Sequence, residues 1–266
     1  MSGGQGSAPG GGIRAGAAAA GVPAPGVPVS FDHLVLAVPE LAAGVEEFER
    51  RTGAVSVPGG RHPGRGTANH LVPLVPRGWS ADALTYLEIL GPDPEQDPAL
   101  ASASLHGFDR LAAQRWAVHP EDFDATIAAA AEAGADFGAV FDMARDTPEG
   151  GRLAWRLTRR SPLAFGGAQP FLIDWQDSLH PAQALRADTG LPVLTLERLE
   201  FFGPEPEALV RALGVLAASG AECGGTEREH GAQGAFVVEE AAHAGFRAVL
   251  SGPLGEVVME TPATVG

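Results

Sequence analysis

The chain has 266 residues, of which 45% are hydrophobic, and this supports one large domain or two to three small modules. Its formal net charge of −15 repels phosphate backbones and anionic lipid, so neither nucleic acid nor a membrane surface is an expected partner. The single cysteine, Cys223, excludes an intramolecular disulfide and a cysteine-based zinc site, and this usage favours a cytoplasmic location.

The N-terminal stretch, residues 1–28, is rich in Gly, Ala, Pro and Ser. Its alanine run is too short and too weakly apolar for a signal-peptide core. No apolar run elsewhere approaches the roughly 20 residues that span a bilayer. We therefore predict a disordered tail at residues 1–28 and place the fold after it.

The first structured segment begins with an alternating apolar strand at 30–38. A helix is predicted next, because Leu41, Val45 and Phe48 fall on one face and Gly53 is a natural stop. A Gly-rich loop then leads to strands near 69–75 and 84–90. The order is strand, helix and then strands, of which two are distinct in the pattern.

Two further segments repeat this order. The second has a strand at 114–118, a helix that closes at Gly134, and strands near 138–143, 152–158 and 171–175. The third has a strand at 194–201, a helix carrying Leu209, Leu213 and Leu216, and strands near 235–240, 246–251 and 256–260. Repeated units of this kind bury their faces against each other. The pattern predicts an α+β protein of paired βαβββ modules over 29–180, followed by a degenerate third module over 193–266.

Two linkers separate the segments, at residues 91–98 and 180–192. Proline and charge make both of them poor candidates for regular structure.

Two polar residues interrupt the apolar strands of the first segment. His33 and Val35 point away from the face that carries Leu34 and Leu36, because side chains alternate along a strand. Glu88 is likewise opposite Leu87 and Ile89. A carboxylate in an apolar strand is expensive unless a histidine, a cation or a substrate proton pairs with it. His33 could alternatively be a core histidine satisfied by a backbone carbonyl.

The chain resembles the vicinal oxygen chelate superfamily, and more narrowly its bacterial glyoxalase-like domain proteins. The βαβββ repeat carries this resemblance, together with a histidine in the first strand and a glutamate in the fourth. The matching stretches are Phe31 to Pro39, Pro58 to Leu71 and Tyr86 to Pro92, with weaker matches at Trp155 to Thr158 and Phe171 to Trp175.

The resemblance implies a divalent metal that chelates two adjacent oxygens of a substrate. Matching the modules places Asp174 opposite Glu88 and Ala113 opposite His33. The implied ligands are therefore His33, Glu88 and Asp174, with no ligand at Ala113. One imidazole and two carboxylates suit Zn²⁺, Ni²⁺, Co²⁺, Mn²⁺ or Fe²⁺. Asp174 could instead start the turn into Gln176.

Further polar residues are expected at the cavity between the two sheets, where ligand sites commonly lie. The loop from Gly59 to Asn69 would place His62 as an acid or base, with Thr67 and Asn69 as hydrogen-bonding groups, or it could be a plain connecting turn. Arg156 would bind a substrate carboxylate by a fork-shaped contact, or it could be a surface arginine or the partner of Asp174.

The preferred function is a small-molecule enzyme that resembles glyoxalase-like lyases and isomerases. Glu88 would serve as a metal ligand or as the group that moves the proton. The alternatives are a metal-free binding protein for antibiotic-like small molecules and a relic whose cavity is filled. Sheet edges and the third module permit a homodimer.

Overall fold

The computed structural model describes Met1 and residues 24–147, 150–188, 190–218 and 236–263. Most of the predicted tail, together with Cys223, therefore lies outside the described residues. Twelve strands and five α-helices occur in the described ranges, together with a short 3₁₀ helix at Ala164–Gly167. The strands are β1 (Phe31–Ala37), β2 (Val57–His62), β3 (Thr67–Pro76), β4 (Tyr86–Pro92), β5 (Ala112–Val118), β6 (Ala139–Asp146), β7 (Arg152–Arg159), β8 (Phe171–Asp174), β9 (Leu194–Gly203), β10 (Val238–Glu240), β11 (Gly245–Gly252) and β12 (Gly255–Glu260). The helices are α1 (Leu41–Thr52), α2 (Pro98–Leu105), α3 (Phe123–Glu132), α4 (Pro181–Ala187) and α5 (Pro206–Ala218).

The first eight strands close into a ring in the order β1-β4-β3-β2-β6-β7-β8-β5. In the first half β1 pairs in parallel with β4, and in the second half β5 pairs in parallel with β8. The halves join at two places, where β1 runs antiparallel to β5 and where Arg61 of β2 pairs with Asp146 of β6. The sheet is thus curved into a barrel, which confirms the predicted α+β fold class.

The third segment extends the sheet beyond the ring. The first residues of β9 pair in parallel with the end of β3, from Leu74 to Pro76. β11 runs antiparallel to β9, and β12 continues the sheet from β11. The short β10 pairs in parallel with the end of β9. The predicted boundaries of the modules and the predicted homodimer stay predictions.

Alternation along the strands produces two separate cores. The outer core joins the strands to α1, α3 and α5, and it includes Leu34, Leu36, Phe48, Trp116 and Leu213. The inner core lies inside the ring, and it includes Val35, Leu71, Trp155, Ile173 and Trp175. The predicted division of β1 into two faces is therefore confirmed.

Helix α1 shows how local chemistry sets its ends. The Glu40 carboxylate accepts hydrogen bonds from the backbone N–H groups of Ala42 and Ala43, which lack partners within the helix. Gly53 ends the helix with a φ of 70°, a left-handed conformation that glycine adopts without a steric penalty.

The predictions for the connecting segments need three corrections. Part of the Gly59 to Asn69 loop is strand β2, whose register shift between Pro58 and Gly60 hides the usual alternation. The 180–192 linker contains helix α4, because Pro181 is favourable in a first helical turn and His180 caps it. The 91–98 linker is shortened at both ends by β4 and α2. Both of these helices contribute apolar side chains to the inner core. Among the described helices, none is both long and apolar enough to span a bilayer.

Candidate functional site

A cavity of about 60 Å³ lies within the ring of eight strands. Its polar lining combines residues from both halves of the ring and one from α2: His33, His62, Arg65, Thr67, Asn69, Tyr86, Glu88, Ser104, Arg115, Arg145 and Arg159. Aromatic side chains form much of the remaining wall, namely Trp155, Phe171 and Trp175. Five of the seven residues predicted for the site therefore line one cavity.

Glu88 projects from β4 into this cavity and is only 8% exposed. Its Oε1 accepts a hydrogen bond of 2.5 Å from Asn69 Nδ2, and its Oε2 lies 3.9 Å from His33 Nε2. Burial alone would raise the pKa of Glu88, but His33, His62 and the Asn69 amide together hold it below its ordinary value. The carboxylate is therefore ionised at neutral pH.

His33 is oriented by the residue that precedes it. Its Nδ1 lies 2.6 Å from Asp32 Oδ1, and an ionised carboxylate can only accept, so Nδ1 donates and Nε2 faces Glu88. The ring also stacks on Tyr86, with 4.6 Å between the centroids. These contacts fix the direction of the imidazole and keep a proton on Nδ1.

Asp32 is a buried carboxylate, and both of its oxygens have hydrogen-bond partners. Its Oδ2 accepts from Trp175 Nε1 at 3.0 Å and lies 3.1 Å from His180 Nε2. Burial opposes ionisation, but the hydrogen bonds from His180 and His33 and their charges hold the pKa of Asp32 far below its ordinary value. Asp32 was not among the predicted site residues, although an Asp directly before the site histidine is a sequence signal for it.

His62, Thr67 and Asn69 lie on strands that face the cavity. His62 Nδ1 and Thr67 Oγ1 form a hydrogen bond of 2.9 Å at the ends of β2 and β3. Burial, the largest cause, lowers the pKa of His62 to about 4, and Arg145 and Arg115 act in the same direction while Glu88 opposes them. His62 is therefore neutral at pH 7. Their roles in catalysis and substrate binding stay predictions.

Asp174 and Arg156 are not part of the cavity. Asp174 lies between Ile173 and Trp175, which line the cavity, so it points to the opposite face of β8. There Arg156 Nη2 donates to Asp174 Oδ2 at 2.8 Å and also contacts Asp124 of α3. Asp174 Oδ1 in turn accepts from the Gln176 N–H. The structure thus shows the turn and the ion pair that were the alternatives for these two residues.

The position predicted to be empty at Ala113 also needs correction. The register between β1 and β5 shifts opposite Val35 and Leu36, so Ala113 turns into the outer core. The side chain of β5 that reaches the cavity near Glu88 is Arg115. A bulge of this kind cannot be read from a match of two sequence segments, which assumes an unbroken register.

The donor set does not fit the divalent metal that the resemblance implied. Within the described ranges, no three His, Cys, Asp or Glu side chains are grouped so that they could hold an ion. Glu88 is the one carboxylate among the described residues of the cavity wall, whereas four guanidinium groups line it. The positive charges of these guanidinium groups oppose the binding of a dication in a low-dielectric interior.

Comparison with known proteins gives a family and a fold. A family model described as a glyoxalase-like domain matches residues 31–217. No match was found among curated proteins. A hypothetical protein from Staphylococcus aureus has a similar structure, with a TM-score of 0.52 and 14% identity, covering 86% of this chain and 84% of that one. This likeness concerns the fold alone.

Two epimerase structures are more distant. Streptomyces coelicolor methylmalonyl-CoA epimerase, in complex with 2-nitronate-propionyl-CoA, has a TM-score of 0.38 and 21% identity, covering 55% of this chain and 96% of that one. The methylmalonyl-CoA epimerase of Mycobacterium tuberculosis has a TM-score of 0.34 and 16% identity, covering 56% and 87%.

Proposed function

Because the chain belongs to the glyoxalase-like domain family, we propose that it is a small-molecule enzyme that moves a proton at a carbon next to a carbonyl group, as lyases and isomerases do. One observation carries the proposal. A buried and ionised carboxylate, Glu88, faces a small cavity beside a histidine whose orientation is fixed. Two acid–base groups held close together in a buried site are suited to proton transfer.

Glu88 is proposed to be the base. Its Oε1 is engaged by Asn69, so Oε2 is the oxygen available to a substrate. The carbon–hydrogen bond breaks, the proton goes to Oε2, and the electron pair moves onto the carbonyl oxygen to form an enolate. Guanidinium groups in the same cavity offset the negative charge on that oxygen.

His33 is proposed to complete the transfer. Its Nε2 is on the cavity side, while Asp32 holds Nδ1 and stabilises a positive charge on the ring. A protonated His33 can deliver its proton to the enolate, either at carbon or at oxygen, and Glu88 then passes its own proton to the neutral His33, which restores both groups.

The experiment is hydrogen–deuterium exchange of small carbonyl compounds in D₂O, followed by proton NMR. The panel consists of 2-oxo acids and 2-hydroxyaldehydes, which carry an exchangeable hydrogen next to a carbonyl. We expect exchange that depends on the protein, and a loss of about 100-fold or more in Glu88→Gln, because a positioned general base contributes about 10²–10⁴-fold. Glu46→Gln is the control, since Glu46 is exposed on α1.

A metal-free binding protein is the second candidate. The aromatic wall formed by Trp155, Phe171 and Trp175 would suit a bound ligand as well as a substrate. If panel compounds bind and none exchanges, the binding protein is the better description. If exchange occurs at the same rate in Glu88→Gln, the role assigned to Glu88 is wrong.

A further inference from the structure

Four arginines line the cavity, although the chain as a whole has a formal charge of −15. They are Arg65, Arg115, Arg145 and Arg159, from a total of 18 basic side chains. Within the described part of the chain, none of the four has a carboxylate oxygen within 4.0 Å, whereas surface arginines such as Arg247 form ion pairs. Glu88 is the single anionic group of the described wall, so the cavity carries an excess of positive charge.

Arg115 has an incomplete set of partners. Its guanidinium lies over the ring of Phe171, with 5.0 Å between Cζ and the centroid. Its Nε is buried and has no hydrogen-bond partner among the described residues. Burial lowers the pKa of Arg115 to about 10, which leaves the group charged at neutral pH. A buried donor without an acceptor is unfavourable, so an acceptor from outside the chain would remove this penalty when it binds.

The other three guanidinium groups are positioned by neutral partners. Arg145 Nη1 donates to Asn69 Oδ1 at 2.9 Å, which also turns the Asn69 amide towards Glu88. Arg159 donates to the Ala103 carbonyl. Arg65 Nη2 lies 3.4 Å from Met143 Sδ. These contacts hold the groups in place without neutralising their charge.

We propose that the cavity binds an oxyanion group, a carboxylate or a phosphate, of a small organic acid, with Arg115 as its fork-shaped contact. This inference rests on the proposed function and names the substrate class of that same site. A guanidinium pairs with such a group through two parallel hydrogen bonds, and these are strong where the guanidinium is buried. The fork contact first expected of Arg156 is thus assigned to Arg115, on the inner side of the sheet.

The test measures binding without turnover. Isothermal titration calorimetry at constant ionic strength would compare malonate and inorganic phosphate with the neutral malonamide. We expect one or both anions to bind and malonamide to bind at least 10-fold more weakly. Arg115→Met should weaken anion binding by about 10- to 100-fold, since a hydrogen bond to a charged group contributes that much. Arg110→Met, at an exposed position, is the control and should bind as the unmodified chain does.

The anion arms distinguish the two sources of the oxyanion, because the tighter ligand identifies a carboxylate or a phosphate site. Arg115→Lys covers the case in which Arg115→Met does not fold, because it keeps the charge and loses the fork-shaped contact. Its affinity for the anion should fall between that of the unmodified chain and that of Arg115→Met. The inference is overturned if neither anion binds, if malonamide binds equally well, or if the Arg115 variants bind normally. If the unmodified chain binds the anions but catalyses no hydrogen–deuterium exchange, the proton-transfer function is rejected and this inference stands.

Discussion

The protonation of His62 should account for part of the decrease in the free energy of unfolding of this protein between pH 7 and pH 4. His62 is 7% exposed, and its Nδ1 shares a hydrogen bond with Thr67 Oγ1. Burial is the largest cause that lowers the pKa of His62 from 6.5 to about 4. When the pH is lowered from 7 towards 4, His62 becomes protonated at a higher pH in the unfolded chain than in the folded chain.

The magnitude follows from linkage. The difference of about 2.5 pH units between the unfolded value of 6.5 and the folded value of about 4 corresponds to about 3 kcal/mol, at about 1.4 kcal/mol for each pH unit. The folded state binds the proton on His62 more weakly than the unfolded state does, so stability decreases as the pH falls. The contribution of the neutral imidazole to stability is fully present above pH 6.5 and is lost as the pH falls towards 4.

The assay is urea unfolding at several pH values between 7 and 4, followed by tryptophan fluorescence. The free energy of unfolding of His62→Asn should fall less steeply over this range than that of the unmodified chain, with a difference of up to about 3 kcal/mol at pH 4. Thr67→Val removes the same hydrogen bond but keeps the titrating ring, so it is the matched control. Parallel curves for His62→Asn and the unmodified chain would contradict this prediction.

Two further predictions concern the stability of the fold. Asp32→Asn should lower the free energy of urea unfolding by about 3–5 kcal/mol, because Asp32 is 1% exposed and pairs with two histidines. Asp177→Asn, at an exposed position, is the control, and its loss should stay below about 1 kcal/mol. A loss as small as that in Asp32→Asn would contradict the prediction. Gly53→Ala should cost roughly 1–2 kcal/mol, because Gly53 has a φ of 70° and the added Cβ would lie 2.9 Å from Leu254 Cγ. An unchanged midpoint of thermal unfolding in Gly53→Ala would show that the left-handed end of α1 is not strained.

The sequence alone predicts the parts of this protein that depend on local periodicity. Strand β1 and helix α1 follow from the spacing of apolar residues, and Gly53 marks the end of α1 because few other residues adopt its conformation without strain. The same alternation places His33 and Glu88 on one side of their strands. Strand β2 could not be predicted this way, because Pro58 and two glycines interrupt its pattern and its stability comes from pairing with β3.

The composition of the candidate site depended on the tertiary structure. A sequence match placed Asp174 beside Glu88 and left a gap at Ala113, but the direction of a side chain depends on the register between neighbouring strands. The shift between β1 and β5 turned Ala113 into the outer core, while Arg115, paired with Val35, kept the face that lines the cavity. The four arginines come from β5, β6, β7 and the turn before β3, so only closure of the ring brings them together. Sequence periodicity reports which face of a strand is apolar, whereas pairing across the closed ring decides which charges share a cavity.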